Sequence, residues 1–298
     1  MNLIVPGGAG YIGARLVPFL LADGHKVTVF DTLWFGDGSL PDNPNLTIIK
    51  GDIRDQQALR DASAGQDACI YLASISNNAM YAVNREVTHA VNAEHFPAAH
   101  GCIVLSGVKR FIYASSVAVL DPTSEYAKDK LFCESILKDT GAIIVRAASV
   151  CGYSPHQRLD TTINMMTHDA YRKGVITVNG GEQERTHVHI DDLCRFYRMA
   201  LTEGVDGETY TVWALSEKIK HTAANVAQVF RDAGKQVSVE IKPRSDNRSY
   251  SIERTNSLDW GPKKAVWDGV RDLIIKFDSG YWPDSRTNPI YQNINNAL

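Results

Sequence analysis

A glycine-rich turn near the amino terminus constrains the fold of this sequence more than any other feature. The apolar run Leu3–Val5 leads into the turn, and the residues behind it show the amphipathic pattern of a helix over 11–23. The glycines of the turn are Gly7, Gly8, Gly10 and Gly13. Glycines allow a backbone turn that side chains forbid, close approach to a phosphate, and tight packing of a helix on a strand. The order of strand, turn and helix therefore predicts a dinucleotide site, with the phosphates at the helix N-terminus.

Short apolar runs rich in β-branched residues alternate with helical patterns over the first half of the chain. The predicted strands are Leu3–Val5, Lys26–Phe30, Leu46–Ile49, Ala68–Leu72, Arg110–Ala114 and Ala142–Arg146, and the predicted helices cover 11–23, 55–62, 84–106 and 124–139. Strands that are apolar throughout are buried on both faces of a sheet. The alternation therefore predicts an α/β protein with a Rossmann-type, doubly wound parallel sheet.

The alternation becomes less regular after Gly152. A helix near 161–173 and strands at Val175–Val178 and His187–Ile190 follow, and the last 80 residues mix helix and strand. These pieces predict a smaller, discontinuous α/β lobe that binds substrate. We expect the dinucleotide-binding domain to comprise residues 1–152 and about 186–213, and the lobe to comprise 153–185 and about 214–298. The polar tail 280–298 is either a docking arm or a frayed end.

The charge and cysteine content argue against several classes of protein. The 31 Lys and Arg residues nearly balance 34 Asp and Glu residues, so no broad basic field is available for nucleic acid. No apolar stretch approaches the length of a membrane span, and the apolar start is too short for a signal peptide. The five cysteines are widely spaced and lack the CxxC pattern of metal sites. These features predict a cytoplasmic protein with reduced cysteines.

The choice of dinucleotide depends on Asp31, which follows the second predicted strand. A carboxylate there accepts hydrogen bonds from the adenosine ribose and would repel a 2′-phosphate, and no arginine follows in the next three residues. The sequence therefore favours NAD over NADP. Asp52 and Ile53, after the third strand, stand where the adenine is expected. Further candidate cofactor residues are Gly7, Gly10, Tyr11, Ile12 and Asn92.

Candidate proton-transfer residues follow the fifth predicted strand. Ser115 and Ser116 end that strand, where doubly wound sheets place their ligands. Tyr126 and Lys130 are four residues apart and therefore lie on one face of a helix. A free tyrosine has a pKa of about 10, and a cation within about 4–6 Å lowers such a pKa by about 1–3 units. The pair is therefore a candidate general base with its activating cation.

The combined motifs resemble those of the extended short-chain dehydrogenase/reductase family, in its NAD-dependent nucleotide-sugar epimerase/dehydratase branch, of the UDP-glucose 4-epimerase type. The motifs are the turn from Gly7 to Gly13, Val29 to Asp31, Gly51 to Ile53, Tyr71 to Ser74, Val108 to Ser116, Tyr126 to Lys130, Arg146, and Arg185 to Asp192. The resemblance implies that Ser116 binds the reacting hydroxyl, that Tyr126 exchanges its proton, and that Lys130 holds the nicotinamide ribose. It also implies that Ala73 and Ser74 pass beside the cofactor.

The resemblance also suggests residues that would bind a nucleotide sugar. Arg185 would contact the substrate diphosphate, because the planar guanidinium matches phosphate oxygens. Arg244 and Arg248 are either a second phosphate contact or surface arginines. Further candidate substrate residues are Ser115, Ser149 and Asn164. Family members usually dimerise through the helices predicted here near 84–106 and 124–139, so a homodimer is expected.

One departure from the family pattern shapes the expected reaction. Dehydratases of this branch usually carry a carboxylate pair directly after the catalytic Thr or Ser, whereas this chain has Val117 and Ala118. We therefore expect an epimerase that keeps its NAD bound, with a keto-sugar reductase, an alcohol dehydrogenase or a non-catalytic NAD-binding regulator as alternatives.

His187 and His189 lie two apart on a strand without an evident third ligand, so no metal is expected.

Overall fold

Strands and helices alternate along most of the chain. The computed structural model describes residues 1–76, 78–243, 258–282 and 291. The strands are β1 (Asn2–Pro6), β2 (Lys26–Asp31), β3 (Leu46–Lys50), β4 (Ala68–Tyr71), β5 (Arg110–Ser116), β6 (Ile143–Ala147), β7 (Ser149–Cys151), β8 (Val175–Asn179), β9 (Glu184–His189), β10 (Thr209–Val212), β11 (Leu215–Lys218) and β12 (Ser238–Lys242). The helices are α1 (Tyr11–Ala22), α2 (Gln56–Ser63), α3 (Asn78–Val83), α4 (Arg85–His89), α5 (Phe96–Leu105), α6 (Glu125–Leu137), α7 (Thr162–Lys173), α8 (Ile190–Thr202), α9 (Ile219–Asp232) and α10 (Val266–Asp278).

A seven-stranded parallel sheet forms the centre of the protein. Its strand order is β10-β6-β5-β4-β1-β2-β3, and every neighbouring pair is parallel. The chain passes from β1 to β2 on one side and later returns to β4 on the other side. A crevice therefore opens at the carboxyl end of β1, where this class of sheet binds its ligands. The sheet confirms the predicted Rossmann-type α/β fold.

Apolar strands explain why the sheet is buried on both faces. Leu3, Ile4 and Val5 of β1 are fully buried, and their side chains divide between two apolar clusters on opposite faces of the sheet. Such strands need helices on both sides to exclude water. The crevice at the end of β1 is therefore set in a rigid, fully covered sheet.

Two smaller sheets lie beside the main one. They have the orders β11-β9-β7 and β12-β8, and a third apolar cluster draws on α7, α9 and α10. β9 begins at Glu184 and ends at His189, slightly earlier than the predicted strand His187–Ile190. β10 then rejoins the main sheet beside β6. Within the described residues, no helix is long and apolar enough to cross a membrane.

The long helix predicted over 84–106 is wrong in one respect, because the structure divides it. α4 ends at His89, a π-helical turn covers Ala90–Glu94, and α5 begins at Phe96 with a proline in its first turn. Pro97 has no N–H to donate, which costs no hydrogen bond in the first turn of a helix. Wide turns of this kind inside helices frequently mark functional sites.

Candidate active site

The glycine turn between β1 and α1 is packed so closely that side chains would not fit. Gly7 has φ +80°, and a Cβ on it would lie 2.5 Å from the backbone nitrogen of Ala73. A Cβ on Gly13 would lie 2.4 Å from the carbonyl oxygen of Gly8. Gly10 caps α1 without any side-chain hydrogen bond, which leaves the first N–H groups of the helix free for a phosphate. The turn therefore fits a dinucleotide pyrophosphate.

A cavity of about 360 Å³ runs from this turn across the carboxyl ends of the strands, and we call it the cleft. The sequence-predicted residues that line it are Gly7, Gly10, Tyr11, Ile12, Asp31, Asp52, Ile53, Ala73, Ser74, Ser115, Ser116, Tyr126 and Ser149. Asn92, Lys130, Asn164 and Arg185 are not among its lining residues. Arg244, Arg248 and most of the 280–298 tail lie outside the described residues.

Asp31 lines the end of the cleft where the adenosine is expected, and it also braces the glycine turn. Its carboxylate accepts hydrogen bonds from the backbone N–H of Ala9 and of Leu33, both at 3.0 Å. Burial raises the pKa of Asp31, and these backbone hydrogen bonds oppose the rise. Asp52 forms an ion pair with Arg54 at 2.6 Å. These two are the only carboxylates among the described residues that line the cleft.

Tyr126 and Ser116 occupy the other end of the cleft. Ser116 ends β5 and accepts a hydrogen bond from the N–H of Ala118, while Ser124 caps α6 and so places Tyr126 in its first turn. Burial raises the pKa of Tyr126, whereas the charge of Arg158 and hydrogen bonding with Ser116 lower it. A tyrosine poised between a hydroxyl donor and a cation can exchange a proton with a substrate hydroxyl.

Lys130 lies behind the cleft wall instead of in it. Its Nζ donates a 2.8 Å hydrogen bond to the carbonyl oxygen of Ala114 and sits 4.8 Å from the ring centre of Tyr113 and 5.8 Å from that of Tyr126. Burial lowers the pKa of Lys130 to about 8. Lys130 is thus near the ring of Tyr126, but the cation that lowers the pKa of Tyr126 in this structure is Arg158.

Asn92 belongs to a network of hydrogen bonds that connects Ser74, Ile75, Tyr81 and Asp129. Its side chain accepts hydrogen bonds from Ser74 Oγ at 3.0 Å and from the N–H of Ile75 at 2.8 Å. It donates to the hydroxyl of Tyr81, which in turn donates to Asp129 at 2.6 Å. The π-helical turn of Ala90–Glu94 thereby fixes the segment that lines the cleft after β4.

The two adjacent serines of β5 face different partners. Ser115 Oγ donates to Glu134 at 2.5 Å, and Glu134 also forms an ion pair with Arg146 at 2.5 Å. This buried network links β5, α6 and β6. The hydroxyl of Ser115 therefore supports the helix that carries Tyr126, while Ser116 and Ser149 remain at the cleft.

Two predicted substrate residues do not line the cleft and have hydrogen-bond partners of their own. Asn164 is fully buried; it accepts from the N–H of Gly152 at 3.0 Å and donates to the hydroxyl of Tyr11 at 3.1 Å. Its amide thus ties α7 to the start of α1. Arg185 lies on β9, opposite Glu217 of β11, and donates to the carbonyl of Glu184 at 2.7 Å.

Arg158 is a site residue that the sequence did not reveal. Its guanidinium has a side-chain exposure of 12%, forms an ion pair with Asp160 at 2.8 Å, and donates to Ser76 Oγ at 2.6 Å. It lines the cleft and supplies a positive charge near Tyr126. No strand or helix pattern marks it, and its only sequence signal is the Arg-x-Asp spacing to Asp160.

The two histidines of β9 have separate environments. His189 accepts a hydrogen bond from the N–H of Asp191 at 3.1 Å, and His187 is fully buried. Among the described residues, no group of three or more His, Cys, Asp or Glu side chains is arranged to hold a metal ion.

The sheet, the glycine turn and the Ser116, Tyr126 and Lys130 set define an extended short-chain dehydrogenase/reductase. The sequence model described as NAD dependent epimerase/dehydratase family matches residues 3–213. The chain belongs to this family of NAD-dependent enzymes, as the motifs predicted, and NAD is the cofactor that its cleft fits.

Relatives in this family have different activities. A dTDP-glucose 4,6-dehydratase of Streptomyces niveus is 25% identical over 97% of this chain and 96% of its own length. A dTDP-glucose 4,6-dehydratase from Streptomyces venezuelae, solved with NAD bound, is 23% identical with a TM-score of 0.82, covering 95% of this chain and 99% of its own. A UDP-glucose 4-epimerase from Thermotoga maritima is 22% identical with a TM-score of 0.78, covering 94% and 99%. The two solved structures share the fold of this chain.

Proposed function

We propose that this protein is an NAD-dependent epimerase of a nucleotide-diphosphate sugar. The observation that carries the proposal is the chemistry of the cleft next to Ser116. Val117 and Ala118 line the cleft at that point, where dehydratases of this branch usually have a carboxylate pair. The carboxylates that do line it, Asp31 and Asp52, are at the adenosine end. Among the described residues, the substrate end thus offers Tyr126 for proton transfer and no second acid or base of the carboxylate type.

The arrangement at Tyr126 suits transient oxidation of a sugar hydroxyl. Bound NAD supplies the acceptor, and later the donor, of a hydride. Tyr126 takes the proton of the reacting hydroxyl at its phenolic oxygen and returns it after the sugar has presented its other face. Ser116 orients that hydroxyl by hydrogen bonding, and the charge of Arg158 favours the phenolate. Net oxidation state is unchanged, as epimerisation requires.

Further parts of the proposal concern binding and assembly. We propose that Arg185 contacts the substrate diphosphate, that residues 153–185 and about 214–298 form the substrate lobe, and that residues 1–152 and about 186–213 form the NAD domain. All five cysteines are free and buried, which supports a reducing, cytoplasmic location. We also propose that the protein is a homodimer and that α5 and α6 form its interface.

Product analysis tests the reaction directly. The purified protein is incubated with UDP-, GDP-, CDP- and dTDP-sugars, and the products are examined by mass spectrometry and chromatography. An epimer has the mass of its substrate. Loss of water would identify a dehydratase and overturn the proposal, whereas loss or gain of two hydrogens would identify a net oxidoreductase. Binding of NAD without turnover of any sugar would favour a regulator.

Two further measurements separate an epimerase from a reductase. Heat-denatured protein should release nearly one NAD per chain, whereas an empty protein that needs added NADH would favour the reductase. Tyr126→Phe should retain NAD and lose about 10²–10⁴-fold in turnover. Tyr281→Phe, which changes an exposed tyrosine outside the cleft, is the matched control.

A further inference from the structure

Two loops meet above the glycine turn, and their contact involves residues that the reaction does not use. Phe35 lies in the loop after β2, and His156 lies in the loop between β7 and α7. Their ring centres are 5.4 Å apart at an angle of 51°. Both side chains line the cleft. The contact therefore joins the two sides of the crevice that opens at the end of β1.

Hydrogen bonds place the His156 loop over the N-terminus of α1. The hydroxyl of Tyr11, the first residue of α1, donates to the carbonyl of Gly152 at 2.8 Å, and Ser154 Oγ donates to the carbonyl of Tyr11 at 2.7 Å. The N-terminus of α1 is where the free N–H groups face the phosphates. The loop that carries His156 is thus tied to the first residue of α1, next to the glycine turn.

The Phe35 loop is anchored at the same place. It follows Asp31, whose carboxylate holds the backbone of both Ala9 and Leu33. Phe35 lies four residues beyond Asp31 and lines the cleft. The two loops meet at the cleft, which the glycine turn also lines.

The imidazole of His156 has an unused hydrogen-bonding atom. The side chain is only 6% exposed, and its Nε2 has no hydrogen-bond partner among the described residues. The hydroxyl of Thr161, also on the cleft wall, likewise has no hydrogen-bond partner among the described residues. Leaving a buried polar atom unpaired is costly, so such atoms on a cavity wall indicate a polar partner that the cavity accepts.

Burial and the charge of Arg158 lower the pKa of His156 to about 4. The ring is therefore neutral at pH 7. It can offer a ligand an N–H group instead of a full positive charge. A neutral imidazole N–H suits a phosphate oxygen that the N-terminus of α1 already stabilises from the other side.

We propose that His156 donates a hydrogen bond from Nε2 to the pyrophosphate of bound NAD, and that its contact with Phe35 retains the cofactor in the cleft. This role is independent of which sugar the enzyme converts, because it concerns only the cofactor.

The test measures cofactor exchange and needs no substrate. Holoprotein is mixed with isotopically labelled NAD, and the exchange rate is measured for the wild type, His156→Ala, His156→Gln and Phe35→Ala. We expect about tenfold faster exchange for His156→Ala and for Phe35→Ala, with partial rescue in His156→Gln because the glutamine keeps an amide N–H. His221→Ala, which changes an exposed histidine on α9, is the control and should exchange like the wild type.

Binding of fragments locates the contact. His156→Ala should weaken binding of ADP-ribose, which contains the pyrophosphate, by the same factor as NAD, and should leave adenosine binding unchanged. Unchanged NAD exchange in both His156→Ala and Phe35→Ala would overturn the proposal. So would weaker binding of UDP or dTDP to the holoprotein with normal NAD exchange, because His156 would then serve the substrate. Far-UV circular dichroism checks that each variant is folded, and Phe35→Leu replaces Phe35→Ala if the latter is not.

Discussion

The ammonium group of Lys130 donates a hydrogen bond to the carbonyl oxygen of Ala114 at 2.8 Å, which ties the helix of Tyr126 to the strand that ends in Ser116. This bond holds a buried cation directly behind the cleft. The cost of burying that charge lowers the pKa of Lys130 to about 8. The buried cation next to Tyr126 therefore makes stability depend on pH.

Lys130→Met should flatten the alkaline part of the stability curve. Below about pH 8 both folded and unfolded wild type carry the lysine proton, whereas between about pH 8 and 10.5 only the unfolded chain holds it. The unfolding free energy of the wild type should therefore rise with pH in this window, by up to about 3 kcal/mol from this group. Urea unfolding at several pH values measures it, with Lys128→Met, an exposed neighbour on α6, as the control. Parallel curves for the wild type and Lys130→Met would contradict the prediction.

Arg158→Met should move the acid limb of the pH–activity profile to higher pH. The guanidinium lowers the pKa of Tyr126, so its removal makes the phenol harder to ionise. We expect a shift of about 1 unit, with a smaller shift for Arg158→Lys, which keeps a positive charge. The profile of kcat against pH shows this shift, which a merely structural loss would not produce. An acid limb at the wild-type pH in Arg158→Met would exclude the charge effect.

His187→Leu should make the protein more resistant to acid. His187 is fully buried, neither ring nitrogen has a hydrogen-bond partner among the described residues, and burial lowers its pKa to about 4. The unfolded chain gains this proton below about pH 6.5 and the folded chain only near pH 4, so stability falls as the pH drops through that window. The loss approaches about 3 kcal/mol. Unfolding curves at pH 7 and pH 4.5 should differ less in His187→Leu than in the wild type or in His221→Ala.

Phe132→Glu should dissociate the proposed dimer. Phe132 and Leu131 on α6 are 44% and 40% exposed, and Leu105 at the end of α5 is 79% exposed. These apolar side chains fit a surface that a second copy covers. Light scattering after gel filtration should give twice the chain mass for the wild type and one chain mass for Phe132→Glu. Ile275→Glu changes a comparably exposed apolar residue on α10 and should remain dimeric; a monomeric wild type would refute the prediction.

The sequence predicted those parts of the site that depend on local geometry. Gly7 and Gly13 indicate the turn because no side chain fits there. Asp31 is predicted as a site residue because it stands at the end of a buried strand. Tyr126 and Lys130 share a face of a helix by spacing alone. Each of these signals lies within a few residues of the chain and needs no knowledge of distant contacts.

The rest of the site depends on contacts between distant segments. Arg158 meets Ser76, and His156 meets Phe35, only after the loops have packed, so no pattern in either segment reveals them. The π-helical turn around Asn92 was missed for the same reason, because its width is set by bonds to the segment after β4. Ser115 and Asn164 are polar residues near the cleft whose partners, Glu134 and Tyr11, come from other elements.

The two hydrogen bonds that Asp31 accepts have a consequence for attempts to change the cofactor. Replacing Asp31 by a neutral residue would remove the repulsion of a 2′-phosphate, which is the usual first step towards use of NADP. The same change would release the N–H groups of Ala9 and Leu33 and so loosen the turn that binds the pyrophosphate. We therefore expect the carboxylate of Asp31 to affect both the preference for NAD and the affinity for the cofactor. An engineered switch would need a second substitution that supplies an acceptor for those two N–H groups.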